Sequence, residues 1–86
     1  MIHVDYTSNF VKFYSKLSRD LKTEIKEKIE LFKNKENHQI LKVHKLHGKL
    51  KNRYSFSVNY KVRIVFEFVG KNKIIMHTIG DHDIYK

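Results

Sequence analysis

The end of the chain carries residue types that can perform acid–base chemistry. Residues 80–86, Gly-Asp-His-Asp-Ile-Tyr-Lys, place the imidazole of His82 between two carboxylates and three residues before the phenol of Tyr85. An imidazole has an ordinary pKa of about 6.5, so it can carry a proton at neutral pH and release it. The spacing therefore makes this segment a candidate for proton transfer.

A cationic stretch without acidic residues precedes this segment. Between Asn37 and Phe66 there is no Asp or Glu, and the basic residues are Lys42, Lys45, Lys49, Lys51, Arg53, Lys61 and Arg63. This stretch supplies most of the formal net charge of +9, because basic and acidic residues nearly balance elsewhere. A concentrated positive field favours a polyanionic partner. The sequence therefore predicts binding to a polyanion, with chemistry on it if His82 takes part.

The composition predicts one soluble cytoplasmic domain that spans residues 1–86. Hydrophobic residues make up 41% of the 86 residues and aromatic residues 13%, which is enough for a compact core. The chain has no cysteine, so disulfides and thiolate metal sites are excluded and a reducing compartment fits. No apolar run approaches the roughly 20 residues of a membrane span, and the first residues lack a signal-peptide pattern.

Apolar periodicity predicts the elements that must position these residues. Residues 2–6 are typical of a strand, and two helices follow, the first capped by Thr7 or Ser8 and the second by Ser18. After a polar connector the apolar period changes to two, which predicts three further strands. The predicted order is β-α-α-β-β-β, an α+β fold in which a helical hairpin packs on one face of a small, mostly antiparallel sheet.

The alternation within the strands predicts which face each side chain occupies. The aromatic positions from Tyr54 to Tyr60 are expected in the core, against the helices. Arg63 alternates with Ile64 and Phe66, so we expect it on the opposite face of the sheet.

Four ordered blocks of the sequence resemble the RelE/ParE superfamily of bacterial toxins. They are Leu46-His47-Gly48-Lys49-Leu50, Tyr54-Ser55-Phe56, Val62-Arg63-Ile64-Val65-Phe66 and Ile79-Gly80-Asp81-His82-Asp83-Ile84-Tyr85. The resemblance covers the whole chain. It implies a small basic toxin that a cognate antitoxin protein neutralises. In the RelE-like branch such a toxin cleaves mRNA in the ribosomal decoding site without a metal or other cofactor.

The resemblance also implies roles for individual residues. Cleavage by attack of a 2′-hydroxyl on the adjacent phosphorus needs a base, an acid and cations on the phosphorane oxygens. Arg63 suits the phosphate, His82 suits the leaving group, and Tyr85 would stack on a base or hold the phosphate. The RNA backbone would be held by a basic segment: Lys45, His47, Lys49, Lys51 and Arg53.

The general base is left open by the sequence. Several ribonuclease members of the superfamily carry an additional carboxylate or histidine for this purpose, and no residue here matches it clearly. His44, His47 and Glu67 are the candidates, since Ser57 cannot act as a base unaided.

Other interpretations compete with this one. A ParE-like inhibitor of DNA gyrase would share the fold and use the cationic face to bind protein, and a plain RNA-binding domain would perform no chemistry. Arg63 can also be a structural residue paired with Glu67, and His82 can be a loop residue bonded to Asp81 or Asp83. A metal site built from His77, Asp81, His82 and Asp83 matches no strong ligand motif. The expected partners are the antitoxin, mRNA and the ribosome, with no membrane and with the oligomeric state open.

Overall fold

The computed structural model describes residues 1–48 and 52–81, and these form two helices and a five-stranded sheet. Strand β1 spans His3–Tyr6, and helices α1 and α2 span Ser8–Ser15 and Arg19–Phe32. After a single 3₁₀ turn the other strands are β2 (His44–Lys45), β3 (Tyr54–Ser57), β4 (Val62–Gly70) and β5 (Lys73–Asp81). The predicted α+β fold is confirmed, with β2 as one additional strand that is too short to show a period in the sequence.

The strands lie in the order β1-β5-β4-β3-β2. β1 runs parallel to β5, with His3 opposite Lys73 and Tyr6 opposite Met76, whereas the other neighbouring strands are antiparallel. The first strand of the chain thus pairs with the last described one. β5 has neighbours on both sides and lies inside the sheet.

Side-chain caps fix the start of each helix, as predicted. Thr7 Oγ1 accepts a hydrogen bond from Phe10 N at 3.0 Å, and Ser18 Oγ accepts one from Leu21 N at 3.3 Å. Each bond satisfies one of the amide groups that a helix N-terminus leaves without a partner. No helix in the described part of the chain is long and apolar enough to cross a membrane.

Phe32, at the end of α2, is the centre of the core between the helices and the sheet. Its ring stacks on Phe56 of β3 at 4.7 Å between centroids and meets Phe66 of β4 edge-on at 4.8 Å. All three rings are fully buried. Burial of each such side chain stabilises the fold by about 1.5–3 kcal/mol. This packing fixes which face of β3 and β4 is turned toward the helices.

The other face of the sheet, called the outward face below, carries the polar set. Arg63 lies there, opposite Ser57 of β3 and Gly80 of β5, as the alternation predicts. The next row along the strands contains Ser55, Val65 and Thr78. Ser55 and Val65 are buried, yet they do not belong to the core cluster under the helices. The outward face therefore has a small buried patch of its own.

The structure departs from a simple alternation at the turn after β3 and at two register shifts between β4 and β5. β3 ends at Ser57, and Val58 N donates to Val62 O at 2.9 Å across a tight turn, so Tyr60 is 90% exposed and the prediction of a core position for it is wrong. In β5 a bulge falls at His77, because Val65 pairs with Thr78 but Phe66 pairs with Met76. A bulge leaves one residue unpaired and re-aims its side chain.

Candidate functional site

Arg63 holds the turn between β3 and β4 with one nitrogen of its guanidinium. Nη1 donates to the carbonyl oxygens of Asn59 at 2.6 Å and Val62 at 3.3 Å. The Nη2 and Nε atoms carry three further N–H groups, in the planar arrangement that binds phosphate oxygens in pairs. Arg63 therefore has a structural contact and retains donors suited to an anion.

Glu67 does not pair with Arg63. Its Oε1 accepts from Arg53 Nη1 at 2.8 Å and lies 3.0 Å from His77 Nε2, within a cluster whose side chains are about one-quarter to one-third exposed. Glu67 and Arg63 are four residues apart on β4, so their Cα atoms are separated by about 13 Å. The sequence left open an ion pair between Arg63 and Glu67. In the structure Glu67 forms its ion pair with Arg53 instead.

The orientation of the His44 ring, on β2, is set by two contacts of its nitrogens. Its Nδ1 lies 2.9 Å from the carbonyl oxygen of Lys42, and its Nε2 lies 3.4 Å from Ser55 Oγ. A carbonyl oxygen can only accept, so Nδ1 carries the proton and, in the neutral ring, Nε2 is the basic nitrogen. Lys42 has a positive φ of 58°, a left-handed conformation that costs a non-glycine residue roughly 1 kcal/mol.

The register brings His44 and Arg63 to the same region of the outward face. His44 pairs with Ser55, and Ser55 is one row from Ser57, the partner of Arg63. Two strand spacings and one row give a Cα separation of about 12 Å. An imidazole and a guanidinium therefore lie on one face of the sheet, with Arg63 held toward the turn by its contact with Asn59.

The remaining predicted site residues divide between the described and the undescribed parts of the chain. Lys45 is exposed on β2, opposite Tyr54, and His47 is exposed just after it. Both line a shallow depression with Leu46, Gly48 and Asn52. The positions predicted for RNA contact, acid catalysis and base stacking that lie outside the described residues are Lys49, Lys51, His82 and Tyr85.

No set of three His, Asp or Glu side chains within residues 1–48 and 52–81 is arranged to hold a metal ion. Of the four residues in the metal alternative, His77 lies beside Glu67, Asp81 ends β5, and His82 and Asp83 are outside the described residues.

On the helical side of the molecule, burial raises the pKa of the Tyr6 phenol, whose ring packs against Phe10 at 5.1 Å.

Sequence reasoning missed the partners of two site residues. The contact between Glu67 and His77 depends on the bulge in β5, and no local pattern in the sequence marks that bulge. The contact between His44 and Ser55 depends on β2, which has only two residues. The sequence did contain one signal that imidazole groups gather in this region, because three histidines lie within the ten residues 38–47 of the acid-free stretch.

These features define an α+β domain with a helical hairpin on one face of a mixed sheet and cationic and imidazole side chains on the other. Three solved toxin structures share this fold over nearly the whole chain. YafQ from Escherichia coli superposes with a TM-score of 0.74 at 16% identity, over 98% of this chain and 97% of YafQ. The YoeB–YefM complex from Staphylococcus aureus gives 0.72 at 20% identity, over 95% and 98% of the two chains.

The archaeal RelE–RelB complex from Pyrococcus horikoshii also gives a TM-score of 0.72, at 14% identity and with 93% of each chain covered. No protein-family model and no curated protein matches the sequence. The chain therefore has the fold of the RelE/ParE toxins, and the resemblance seen in its sequence is confirmed at the level of the fold.

Proposed function

We propose that this chain is the toxin of a toxin–antitoxin pair and that it cleaves mRNA on the ribosome without a metal. The observation that supports the proposal is that Arg63 and His44 lie on the same, outward face of the sheet in a fold shared with YafQ. The fold alone does not define an activity, because one fold can host several. The chemistry of these side chains favours attack on a phosphodiester over inert binding.

In the proposed reaction the 2′-oxygen attacks the adjacent phosphorus while the bond from phosphorus to the 5′-oxygen breaks. The products are a 2′,3′-cyclic phosphate and a free 5′-hydroxyl. One proton leaves the 2′-hydroxyl, and one proton reaches the departing oxygen. Arg63 would bind the non-bridging oxygens, where charge accumulates in the transition state, and its charge does not depend on pH in the working range.

His44 is the base in this proposal. The Lys42 carbonyl holds the proton on Nδ1, so Nε2 is the atom that accepts the proton of the 2′-hydroxyl. The 3.4 Å contact between Nε2 and Ser55 Oγ is long for a hydrogen bond, and a substrate hydroxyl can replace it. His82 as the acid and Tyr85 as a substrate contact stay predictions from the resemblance. The ribosome would supply the substrate orientation that a chain of 86 residues lacks.

A partner antitoxin is part of the proposal. The YoeB and RelE structures of similar fold are complexes with YefM and RelB, respectively. For this chain we expect an acidic segment of the antitoxin to cover the outward face, because its field attracts any polyanion. Such a segment would compete directly with RNA for Arg63.

The proposal is tested by cleavage of a translated message in a reconstituted bacterial translation system, with and without ribosomes. We expect ribosome-dependent cuts by the wild type and a loss of rate of about a hundredfold or more in His44→Gln and in Arg63→Gln. His3→Gln and Lys26→Gln are the matched controls, since they remove an exposed imidazole and an exposed cation on α2, both outside the proposed chemistry. Thermal melting of each variant separates loss of fold from loss of activity.

Three outcomes count against the proposal in different ways. Full activity of His44→Gln would remove His44 as the base, while loss in Arg63→Gln alone would keep the phosphate contact. Cuts that need no ribosome would remove the decoding site as the place of action. An intact message, in cells that nevertheless stop growing when the chain is expressed, would point to gyrase inhibition.

A further inference from the structure

The turn between β3 and β4 presents an aromatic ring to solvent. Tyr60 is 90% exposed at the tip of this turn, and Lys61 beside it is also exposed. The period-two pattern predicts a core position for Tyr60, whereas in the structure its ring is exposed and can contact a ligand. A single exposed aromatic residue is common on protein surfaces and needs other evidence before a role is assigned.

The first such evidence is that hydrogen bonds connect the turn to its own backbone, to α2 and to Arg63. Asn59 Oδ1 accepts from Lys61 N at 2.9 Å and Val62 N at 2.7 Å. Asn59 Nδ2 donates to Glu24 Oε1 of α2 at 2.7 Å, and the Asn59 carbonyl accepts from Arg63 Nη1 at 2.6 Å. The backbone that carries Tyr60 is thus ordered before any ligand binds, which lowers the entropy cost of a contact.

The second piece of evidence is the position of the turn. Arg63 belongs to the last paired row of β3 and β4, and its guanidinium bonds directly to the residue before Tyr60. At the same end of the sheet, Tyr60 lines an open groove with Val62, Asp81 and, from α2, Leu21 and Glu24, whereas Arg63 is not part of this lining. Tyr60 and Arg63 are therefore linked through the Asn59 carbonyl, and the groove itself lies on the α2 side of the turn.

We propose that Tyr60 stacks on a base of single-stranded RNA while a phosphate of the same strand binds Arg63. The inference rests on the proposed function, because it takes RNA as the substrate. An aromatic ring beside a cation is the combination that single-stranded nucleic acids recognise, through the face of a base and the adjoining phosphate. Stacking tolerates any base, so Tyr60 would position the strand rather than select its sequence.

The test uses the fact that the chain contains no tryptophan. Tyr60→Trp introduces one fluorescent indole at the turn, and Phe13→Trp introduces one on α1, where Phe13 is 47% exposed. Each protein is titrated, without ribosomes, with an oligouridine of about ten nucleotides. We expect saturable quenching for Tyr60→Trp and none for Phe13→Trp. Absence of quenching at position 60, or equal quenching at both positions, would overturn the inference.

Cleavage assays then measure the consequence for activity. Tyr60→Phe keeps the ring and is expected to cleave as the wild type does. Tyr60→Ala should need about tenfold more protein for half-maximal cleavage, with an unchanged maximal rate. The quenching titration and the cleavage assay can fail independently of each other. Quenching without cleavage would refute the enzymatic function and keep the RNA contact, whereas cleavage without quenching would refute the contact alone.

Discussion

Glu67 lowers the positive charge at one end of the outward face. Its carboxylate lies between Arg53 and His77, on the face that also carries Arg63 and His44. Arg53 therefore contributes less to the attraction of a polyanion than its type suggests. The guanidinium keeps donors beyond Nη1, so Glu67 can orient Arg53 toward a ligand while it offsets the charge.

Glu67→Gln is expected to raise affinity for single-stranded RNA by roughly threefold at low salt, because one negative charge leaves the binding face. Stability should fall by no more than about 1 kcal/mol, since the ion pair is partly exposed. Fluorescence anisotropy of a labelled oligonucleotide measures the first effect and urea unfolding the second. Glu36→Gln makes the same change in net charge on an exposed 3₁₀ turn. An equal gain in that control would show that only net charge matters.

At the scale of elements, the turn between β3 and β4 couples the sheet to α2. The amide of Asn59 bonds to Glu24 of α2 and to two backbone N–H groups of the turn, Lys61 N and Val62 N. The Asn59 carbonyl, in contrast, is the acceptor for Arg63. The side chain therefore determines the shape of the turn, and the backbone oxygen connects it to the candidate site.

Asn59→Ala should destabilise the chain by about 1–3 kcal/mol, because it leaves backbone donors and the Glu24 carboxylate without their partner. The carbonyl that accepts from Arg63 remains, so any cleavage that survives should depend on Arg63 as before. Urea unfolding of Asn59→Ala is compared with that of Asn9→Ala, a change at an exposed position of α1. Equal stability of the two variants would contradict the role assigned to the turn.

The elements show why sequence predicted part of this structure and missed the rest. The helices were predictable because Thr7 and Ser18 are local caps and the apolar rows of α2 repeat every three or four residues. Tyr60 was misplaced because an Asn-centred turn interrupts the alternation without glycine or proline. The face of Arg63 followed from alternation, but the partners of Glu67 and His44 follow from register, which one sequence does not contain.

At the scale of the whole molecule, the two layers differ in their balance of charge. Helix α2 carries four acidic and four basic residues, whereas the outward face of the sheet carries Arg53 and Arg63. A polyanion approaching this molecule meets an attractive side and a nearly balanced one. The formal net charge of +9 therefore acts as a directed field rather than a uniform one.

The salt dependence of RNA binding tests whether RNA occupies the sheet side or the helical side of the molecule. Binding of single-stranded RNA should weaken steeply with salt, and Arg63→Gln should lower the slope of log K against log salt by about 0.7, the value for one lost phosphate contact. Lys26→Gln, on an exposed position of α2, should leave the slope unchanged. The measurement is a series of anisotropy titrations at increasing salt. Equal slopes for both variants would mean that RNA does not bind on the sheet side.

The pairing of β1 with β5 has a consequence for how the chain acquires its structure. His3 pairs with Lys73, so β1 has no strand neighbour until the chain has been synthesised as far as β5. Contacts this distant in sequence close late and slow the folding reaction. β4 and β5 can form first as a hairpin around residues 70–73, with β1 added last. The sheet of a newly made chain is therefore incomplete until β5 has been synthesised, and until then the backbone of β1 is open to a strand of another chain.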